Sequence, residues 1–333
     1  MRPPSVSVFI TTCNEKTYLK RILEDLDRQD FGDFEILLLE AGENHKSLAL
    51  DALKKRAPLL HYFHKKGASR ALALNQLVKK STGEVLIRLD ARTHIENNYI
   101  SKIVELSETT GATNVGGVMW PVGETKDQRV VAELMKSSWV FGGAKFRKAG
   151  FQGEAETVYL GAFRKKDIPF EDWYDSDCSK ISEDSDLNFR LRNIGKKVFI
   201  DSSIVAYHYP RENLAKFFKL CFNYGLGRSI FILKHKSALA PRQLVFVTGA
   251  ILCAFLLGAS LSSPLCRVLF ICLSSAYLGI AFALALTQKA KLNHKAKFFL
   301  GVVGAHFCWL TGLLCGPIQY HKDLRPRGPT STP

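Results

Sequence analysis

Two acidic segments, far apart in the chain, have residue types suited to group transfer at a phosphate. The first is the end of Val85-Leu86-Ile87-Arg88-Leu89-Asp90-Ala91-Arg92. Apolar residues around a single arginine read as a mostly buried strand, and that strand closes on a carboxylate. Ligands of open α/β sheets gather at the carboxyl ends of strands. A carboxylate placed there can hold a divalent cation against a phosphate, because such cations take oxygen ligands. An aspartate there can equally cap the helix that follows. The second segment is Ser182-Glu183-Asp184-Ser185-Asp186. It enters a helix whose Leu187, Leu191 and Ile194 share one face and which Gly195 stops. Acids at a helix start suit the dipole, but Glu183, Asp184 and Asp186 together exceed what a cap needs. A carboxylate at a helix start that faces a cleft can serve as a general base, worth ~10²–10⁴-fold in rate.

The elements that would position these acids alternate along the first two hundred residues. Val6–Thr11, Phe34–Glu40, Leu60–His64 and Val85–Asp90 read as strands, and Tyr18–Gln29, Leu48–Lys55 and Ser69–Lys80 as helices. That order predicts an α/β fold with a doubly wound, mostly parallel sheet of Rossmann-like type. Right-handed crossovers put the strand carboxyl ends on one rim, where Thr12–Glu15, Glu40–Asn44 and Asp90–Arg92 would meet.

Composition shifts near Pro241. Three apolar runs follow, Leu244–Leu261, Val268–Leu286 and Phe298–Ile318. A spanning helix needs ~20 mostly apolar residues. The first two runs fit; the third carries His306, several glycines and Pro317 and is open to a re-entrant reading. Lys289, Lys291, Lys295 and Lys297 between the second and third runs place that loop, and the region before the first run, in the cytoplasm. Three full spans would put Lys322, Arg325 and Arg327 outside, against the same rule. The expected organisation is a catalytic region over 1–240, a membrane region of two or three helices over 241–320, and a disordered tail over 321–333.

The net charge of +15, from 46 Lys and Arg against 31 Asp and Glu, suits an anionic partner. The basic residues are scattered, with neither a long basic block nor zinc-finger spacing, so nucleic acid is not the expected partner. The eight cysteines form no CxxC pair and predict neither a disulfide framework nor a zinc site.

The motifs together are similar to those of family-2 glycosyltransferases with the A-type nucleotide-binding fold (GT-A). They are Val8-Phe9-Ile10-Thr11-Thr12-Cys13-Asn14-Glu15, a strand ending in an acid at Glu40, Gly83-Glu84-Val85-Leu86-Ile87-Arg88-Leu89-Asp90, and Glu183-Asp184-x-x-Leu187-x-x-Arg190-Leu191. Within that family, the chain resembles the membrane-anchored succinoglycan-type glucosyltransferases. The carrying segments are Val115–Val118, Phe141–Arg147, Thr157–Arg164 and Pro241–Leu244.

The resemblance implies an inverting transfer of a sugar, glucose from UDP-glucose, to a lipid-linked saccharide in polysaccharide synthesis at the cytoplasmic face of the cell membrane. The other class of reading is a catalytically inactive membrane scaffold that still binds nucleotide sugar. The implied partners are a nucleotide sugar, the lipid-linked acceptor and membrane lipid; the implied cofactor is Mg²⁺ or Mn²⁺. The resemblance puts Thr12, Asn14 and Glu15 beside the nucleotide, Glu40 where the family has an Asp contacting the base, and Arg70 facing the nucleotide. Asp90 is the first acid of an Asp-x-Asp element and a metal ligand, and His208 can reach the metal or diphosphate. Asp184, with Glu183 beside it, matches the catalytic base.

Arg92 replaces the second acid of Asp-x-Asp, and as a fixed planar cation it suits a leaving diphosphate. Gly142-Gly143-Ala144-Lys145-Phe146-Arg147-Lys148 reads as a loop whose Lys145 and Arg147 close over an acceptor diphosphate, or as a plain surface loop. Arg228 sits where processive synthases carry Gln-x-x-Arg-Trp. The Gln and Trp are missing here, so a long-chain polymerase is not expected. Leu214, Phe217, Phe218 and Cys221 recur at helical spacing, which suits either an interfacial helix or one packed on the sheet.

Overall fold

The computed structural model describes residues 4–43, 60–175, 182–236 and 241–323. The helix expected over Leu48–Lys55 and the tail from residue 324 lie outside them. In chain order the elements are β1 (Val6–Thr12), α1 (Lys16–Asp27), β2 (Phe34–Glu40), β3 (Leu60–His64), α2 (Arg70–Lys80), β4 (Val85–Asp90), β5 (Thr93–Ile95), α3 (Tyr99–Thr110), β6 (Asn114–Pro121), α4 (Lys126–Lys136), α5 (Ser138–Phe141), β7 (Gln152–Glu154), β8 (Tyr159–Arg164), α6 (Glu183–Asn193), β9 (Val198–His208), α7 (Leu214–His235), α8 (Pro241–Ala259), α9 (Pro264–Leu286) and α10 (Leu292–Asp323).

The chain forms two compact units, one of residues 1–122 and 143–210, the other of 123–142 and 211–333. The first unit is built on one sheet in the order β3-β2-β1-β4-β8-β6-β9-β5, with β7 beside β9. Strands β3, β2, β1 and β4 are parallel neighbours. β8 runs antiparallel between β4 and β6, while β6 and β9 are parallel. β2 is buried along its whole length, as a parallel strand covered on both faces must be. Leu19, Ile22, Leu23 and Leu26 of α1 join β1, β2 and α3 in one core layer. On the opposite face Leu74, Leu77 and Val78 of α2 and Leu187 and Leu191 of α6 pack on Phe9, Leu37 and Leu86.

Register aligns the rim. Thr12 pairs with Glu40, Glu40 with His64, and Thr11 with Asp90. The loop after β1, the end of β2 and the end of β4 therefore open side by side, as the strand pattern implies.

In the second unit α9 and α10 are long and apolar enough to cross a membrane, and α8 is a shorter apolar helix. Ser263 caps α9 by accepting from the Cys266 amide, with Pro264 in the first turn. Leu261, Phe255 and Phe307 are among the large side chains left exposed, as a lipid-facing surface requires. The third apolar run is one continuous helix, not a re-entrant pair. Its irregular residues each have a local explanation. The His306 ring donates from Nε2 to the Trp139 carbonyl at 3.0 Å and accepts at Nδ1 from the Tyr277 hydroxyl at 2.8 Å, so no polar atom of the ring faces lipid. Its glycines admit α7: a Cβ on Gly312 would meet the Phe222 carbonyl, one on Gly304 the Phe218 ring and one on Gly316 the Ser229 side chain. Pro317 lies inside the helix near its end.

Helix α7 packs along α10. Its Gly225 abuts the Trp309 carbonyl of α10, a small-residue helix contact of the kind found in membranes. This groups α7 with the C-terminal helices, in the unit that takes up the chain from Arg211. Helix α10 also extends to Asp323, into the segment expected to be disordered.

Substituting Gly312→Ala places a methyl group against the backbone of α7. The expected loss is about 1–3 kcal/mol, read as a lower unfolding temperature of the detergent-solubilised protein; Gly279→Ala, where a Cβ meets nothing within 4 Å, should leave it unchanged.

Candidate active site

Three carboxylates and two guanidinium groups interlock at the rim. Arg70 opens α2, just after Ser69, whose hydroxyl accepts from the Leu72 amide. Its Nη2 lies 2.8 Å from both oxygens of Asp90, and its Nε lies 3.1 Å from Glu183 Oε1. Arg88 comes from the middle of β4 and is 2% exposed. Its Nη1 bonds to Asp184; its Nη2 reaches Glu183 at 3.2 Å and Asp90 at 3.4 Å. The acids of the two sequence segments thus converge on a shared guanidinium.

The environment separates the three acids. Burial acts to raise the Asp90 pKa, but Arg70 and then Arg88 more than reverse this and hold it well below the carboxylate range. Asp90 is therefore ionised at any working pH. Burial likewise opposes the Glu183 charge, and Arg70 and Arg88 overcome it, so its pKa is lowered. Asp184 goes the other way: burial and the neighbouring Glu183 outweigh Arg88 and raise it to about 6. Burial lowers the pKa of Arg88, yet Asp184, Asp90 and Glu183 keep it well above its ordinary value. With every group ionised the cluster carries one more negative than positive charge, and Asp184 takes up the proton first as pH falls. Exposure divides the two adjacent acids as well. The Glu183 side chain is 5% exposed and that of Asp184 42%. Glu183 is committed to the arginines, whereas Asp184 faces outward.

The other expected residues fall as follows. The side chain of Glu40 is buried and accepts from the Asn14 amide at 3.2 Å. Asn14 has a φ of 58°, a left-handed conformation that asparagine tolerates, and its Oδ1 accepts from the Glu43 amide at 2.8 Å. Thr12 is 5% exposed and its hydroxyl has no hydrogen-bond partner among the described residues; a buried hydroxyl left so is a place for a ligand or water. Arg92 does not point into the cluster. Its Nε binds Glu15 at 2.8 Å, its Nη1 donates to the Pro210 carbonyl at 3.0 Å, and it stacks over Tyr18. Glu15 and Arg92 therefore meet each other, pinning the loop after β1 to the end of β9.

His208 ends β9 with Nδ1 2.9 Å from the Tyr159 hydroxyl, and it lies near enough to Asp90 to act on that carboxylate electrostatically. Lys145 donates to the Glu154 carbonyl of β7 at 2.9 Å and Arg147 lies over Phe146; neither makes a described contact with the acids. Arg228 belongs to the other unit, over Phe231. Arg88 is not among the residues that motif and spacing single out. Its signal was a lone cation in an apolar strand, two residues before the acid.

Among the described residues no three His, Cys, Asp or Glu side chains are grouped to hold an ion. Asp90, ionised and 23% exposed, is the single carboxylate at the rim end of β4. One or two carboxylates plus substrate phosphates is the usual arrangement for Mg²⁺, and Asp90 fits it.

Residues 7–168 match the family model Glycosyl transferase family 2. The likeness to that family rests on this segment, just under half of the chain. Two curated relatives extend the likeness. One, from Methanococcus voltae, is a dolichyl N-acetyl-glucosaminyl phosphate diacetamido-dideoxy-glucuronosyltransferase, 26% identical over 242 residues, 69% of this chain and 74% of that one. The other is the succinoglycan biosynthesis protein ExoA of Rhizobium meliloti, 29% identical over 178 residues. That match spans 53% of this chain and about half, 54%, of ExoA. Among solved structures, the mannosyltransferase PcManGT of Pyrobaculum calidifontis, in complex with GDP-mannose and Mn²⁺, aligns with a TM-score of 0.57 at 14% identity, covering 97% of this chain and 89% of that one. At that identity the likeness is one of fold, and the fold is GT-A.

The opposed shifts of the two adjacent acids give opposite stability effects. Glu183 is stabilised as an anion by the fold, so Glu183→Gln should cost on the order of 2–3 kcal/mol at neutral pH. Asp184 binds its proton more tightly folded than unfolded. Its ionisation therefore lowers stability as pH rises from about 4 to about 6, and Asp184→Asn should be neutral or stabilising at pH 7. Thermal unfolding of the two variants checks the sign of each.

Proposed function

We propose that the chain is an inverting hexosyltransferase that moves a sugar, glucose in the first instance, from UDP-glucose to a lipid-linked saccharide. The reaction would take place at the cytoplasmic face of the cell membrane, with the C-terminal helices as anchor. The observation that carries this reading is the convergence of Asp184 and Asp90 on Arg88 at the strand rim. The relatives' names, a dolichyl-linked glycosyltransferase and a succinoglycan biosynthesis protein, support the acceptor class. The apolar helices α9 and α10 support a membrane-embedded acceptor.

In this reading the nucleotide lies across the ends of β1 and β2, against Thr12, Asn14 and Glu40. Asp90, with His208 beside it, would hold Mg²⁺ or Mn²⁺. Such an ion, when bound, offsets the charge of the leaving diphosphate. Asp184 takes the proton from an acceptor hydroxyl. That oxygen forms its bond to the anomeric carbon as the bond from that carbon to the diphosphate oxygen breaks, and the nucleoside diphosphate departs. A single displacement inverts the anomeric centre. Arg70, at the start of α2 and bound to Asp90, stands where a cation can follow the developing charge. Glu183 keeps both arginines in place and does not react. Lys145, Arg147 and Arg228 are left as acceptor-side candidates.

A panel of radiolabelled nucleotide sugars, incubated with membranes containing the chain and a lipid extract, tests this reading. Label should pass from UDP-glucose into the lipid fraction. Binding of the donor without release of UDP would instead identify a scaffold. Asp184→Asn should lower turnover by at least ~10²-fold. Since the base works ionised, the rate should fall on the acid side with a midpoint near pH 6. A chelator should stop transfer and added Mg²⁺ or Mn²⁺ restore it.

A further inference from the structure

Arg88 is a buried cation in the middle of the sheet. An arginine at 2% exposure in a central strand loses its hydration, and an apolar side chain of similar volume would fill the space without that loss. Its fork binds three acids: Nη1 bonds to Asp184, and Nη2 to Glu183 and to Asp90 of its own strand. Its flat face lies 5.7 Å from the ring of Tyr174, itself wholly buried. The backbone at Arg88 is held in register with Phe9 of β1, so the guanidinium has a rigid base. A planar fork fixes the separation of what it binds, which the compact, rotatable ammonium of lysine does not.

We propose that Arg88 is a positioning residue for the transfer reaction: it sets the carboxylate of Asp184 at a fixed distance and angle from Asp90. The donor-side and acceptor-side halves of the site are thereby aligned through one side chain. Arg88, at 2% exposure, acts through Asp184. This rests on Asp184 being the base. Misplacement of a reacting group by about 1 Å can cost ~10²-fold, and that is the scale expected here.

The test uses the full chain in membranes, with the radiolabelled donor selected by the panel above and the lipid extract as acceptor. Arg88→Lys keeps the charge and removes the fork. It should lower kcat by about 10–100-fold while the donor KM stays within about threefold. In an Asp184→Asn background the same substitution should cost less than about threefold more, because the group it positions is gone. Arg88→Gln, neutral and without the fork, should behave likewise and replaces the lysine variant if that variant does not fold; thermal unfolding and donor binding report on folding separately.

The proposal is overturned if a folded Arg88→Lys keeps kcat within twofold. It is overturned also if the loss is a rise in donor KM, which would place Arg88 on the donor side alone, or if the losses multiply in the Asp184→Asn background. Undiminished turnover in Asp184→Asn alone would instead remove the base assignment itself.

Discussion

The charge balance between two arginines and three carboxylates is the constraint on which the site depends. Charges this buried are unfavourable unless each meets a partner. Glu183 and Arg88, at 5% and 2% side-chain exposure, can be ionised only because they meet each other and because Arg70 and Asp90 complete the set. The excess carboxylate is Asp184, the most exposed of the three. Loss of hydration, and then the repulsion of the neighbouring Glu183, raise its pKa against the pull of Arg88. In the proposed reaction, a base that takes up a proton near pH 6 would be close to the working range, where proton transfer is most effective.

The same cluster explains how distant segments of chain are held at one rim. Arg88 and Asp90 come from β4, Arg70 from the start of α2, and Glu183 and Asp184 from the start of α6. The sheet aligns the ends of β1, β2 and β4 through register, and the arginines then tie α2 and α6 to β4. A second ionic link, Glu15 to Arg92, fastens the loop after β1 to the end of β9 by way of the Pro210 carbonyl. The arginine that replaces an acid in the Asp-x-Asp element thus has a structural use of its own, and it leaves Asp90 as the carboxylate at that strand end.

The membrane unit follows a different rule. Apolar contact gives no net drive between helices in lipid, so close approach of backbones does the work. Gly225, Gly304, Gly312 and Gly316 let α7 and α10 touch along their length. His306 is tolerated in an apolar helix because Tyr277 and the Trp139 carbonyl satisfy both ring nitrogens. In sequence, the glycines, the histidine and Pro317 read as interruptions, because their partners lie on other helices.

Local pattern alone determined the α/β alternation, the strand limits Phe34–Glu40, Leu60–His64 and Val85–Asp90, the apolar helices, and the two acidic segments. Each of these is written in periodicity, in run length or in a motif of neighbouring residues. Tertiary structure decided what depends on residues brought together from afar. It gave Glu183 and Asp184, adjacent in the chain, opposite pKa shifts and opposite exposure. It turned Arg92 toward Glu15, paired α7 with α10, and put Arg88 at the centre of the site. Spacing along a chain reports which face a side chain can occupy, whereas the free energy of a charge depends on the dielectric and the partners around it, and those exist only once the sheet and its helices have closed.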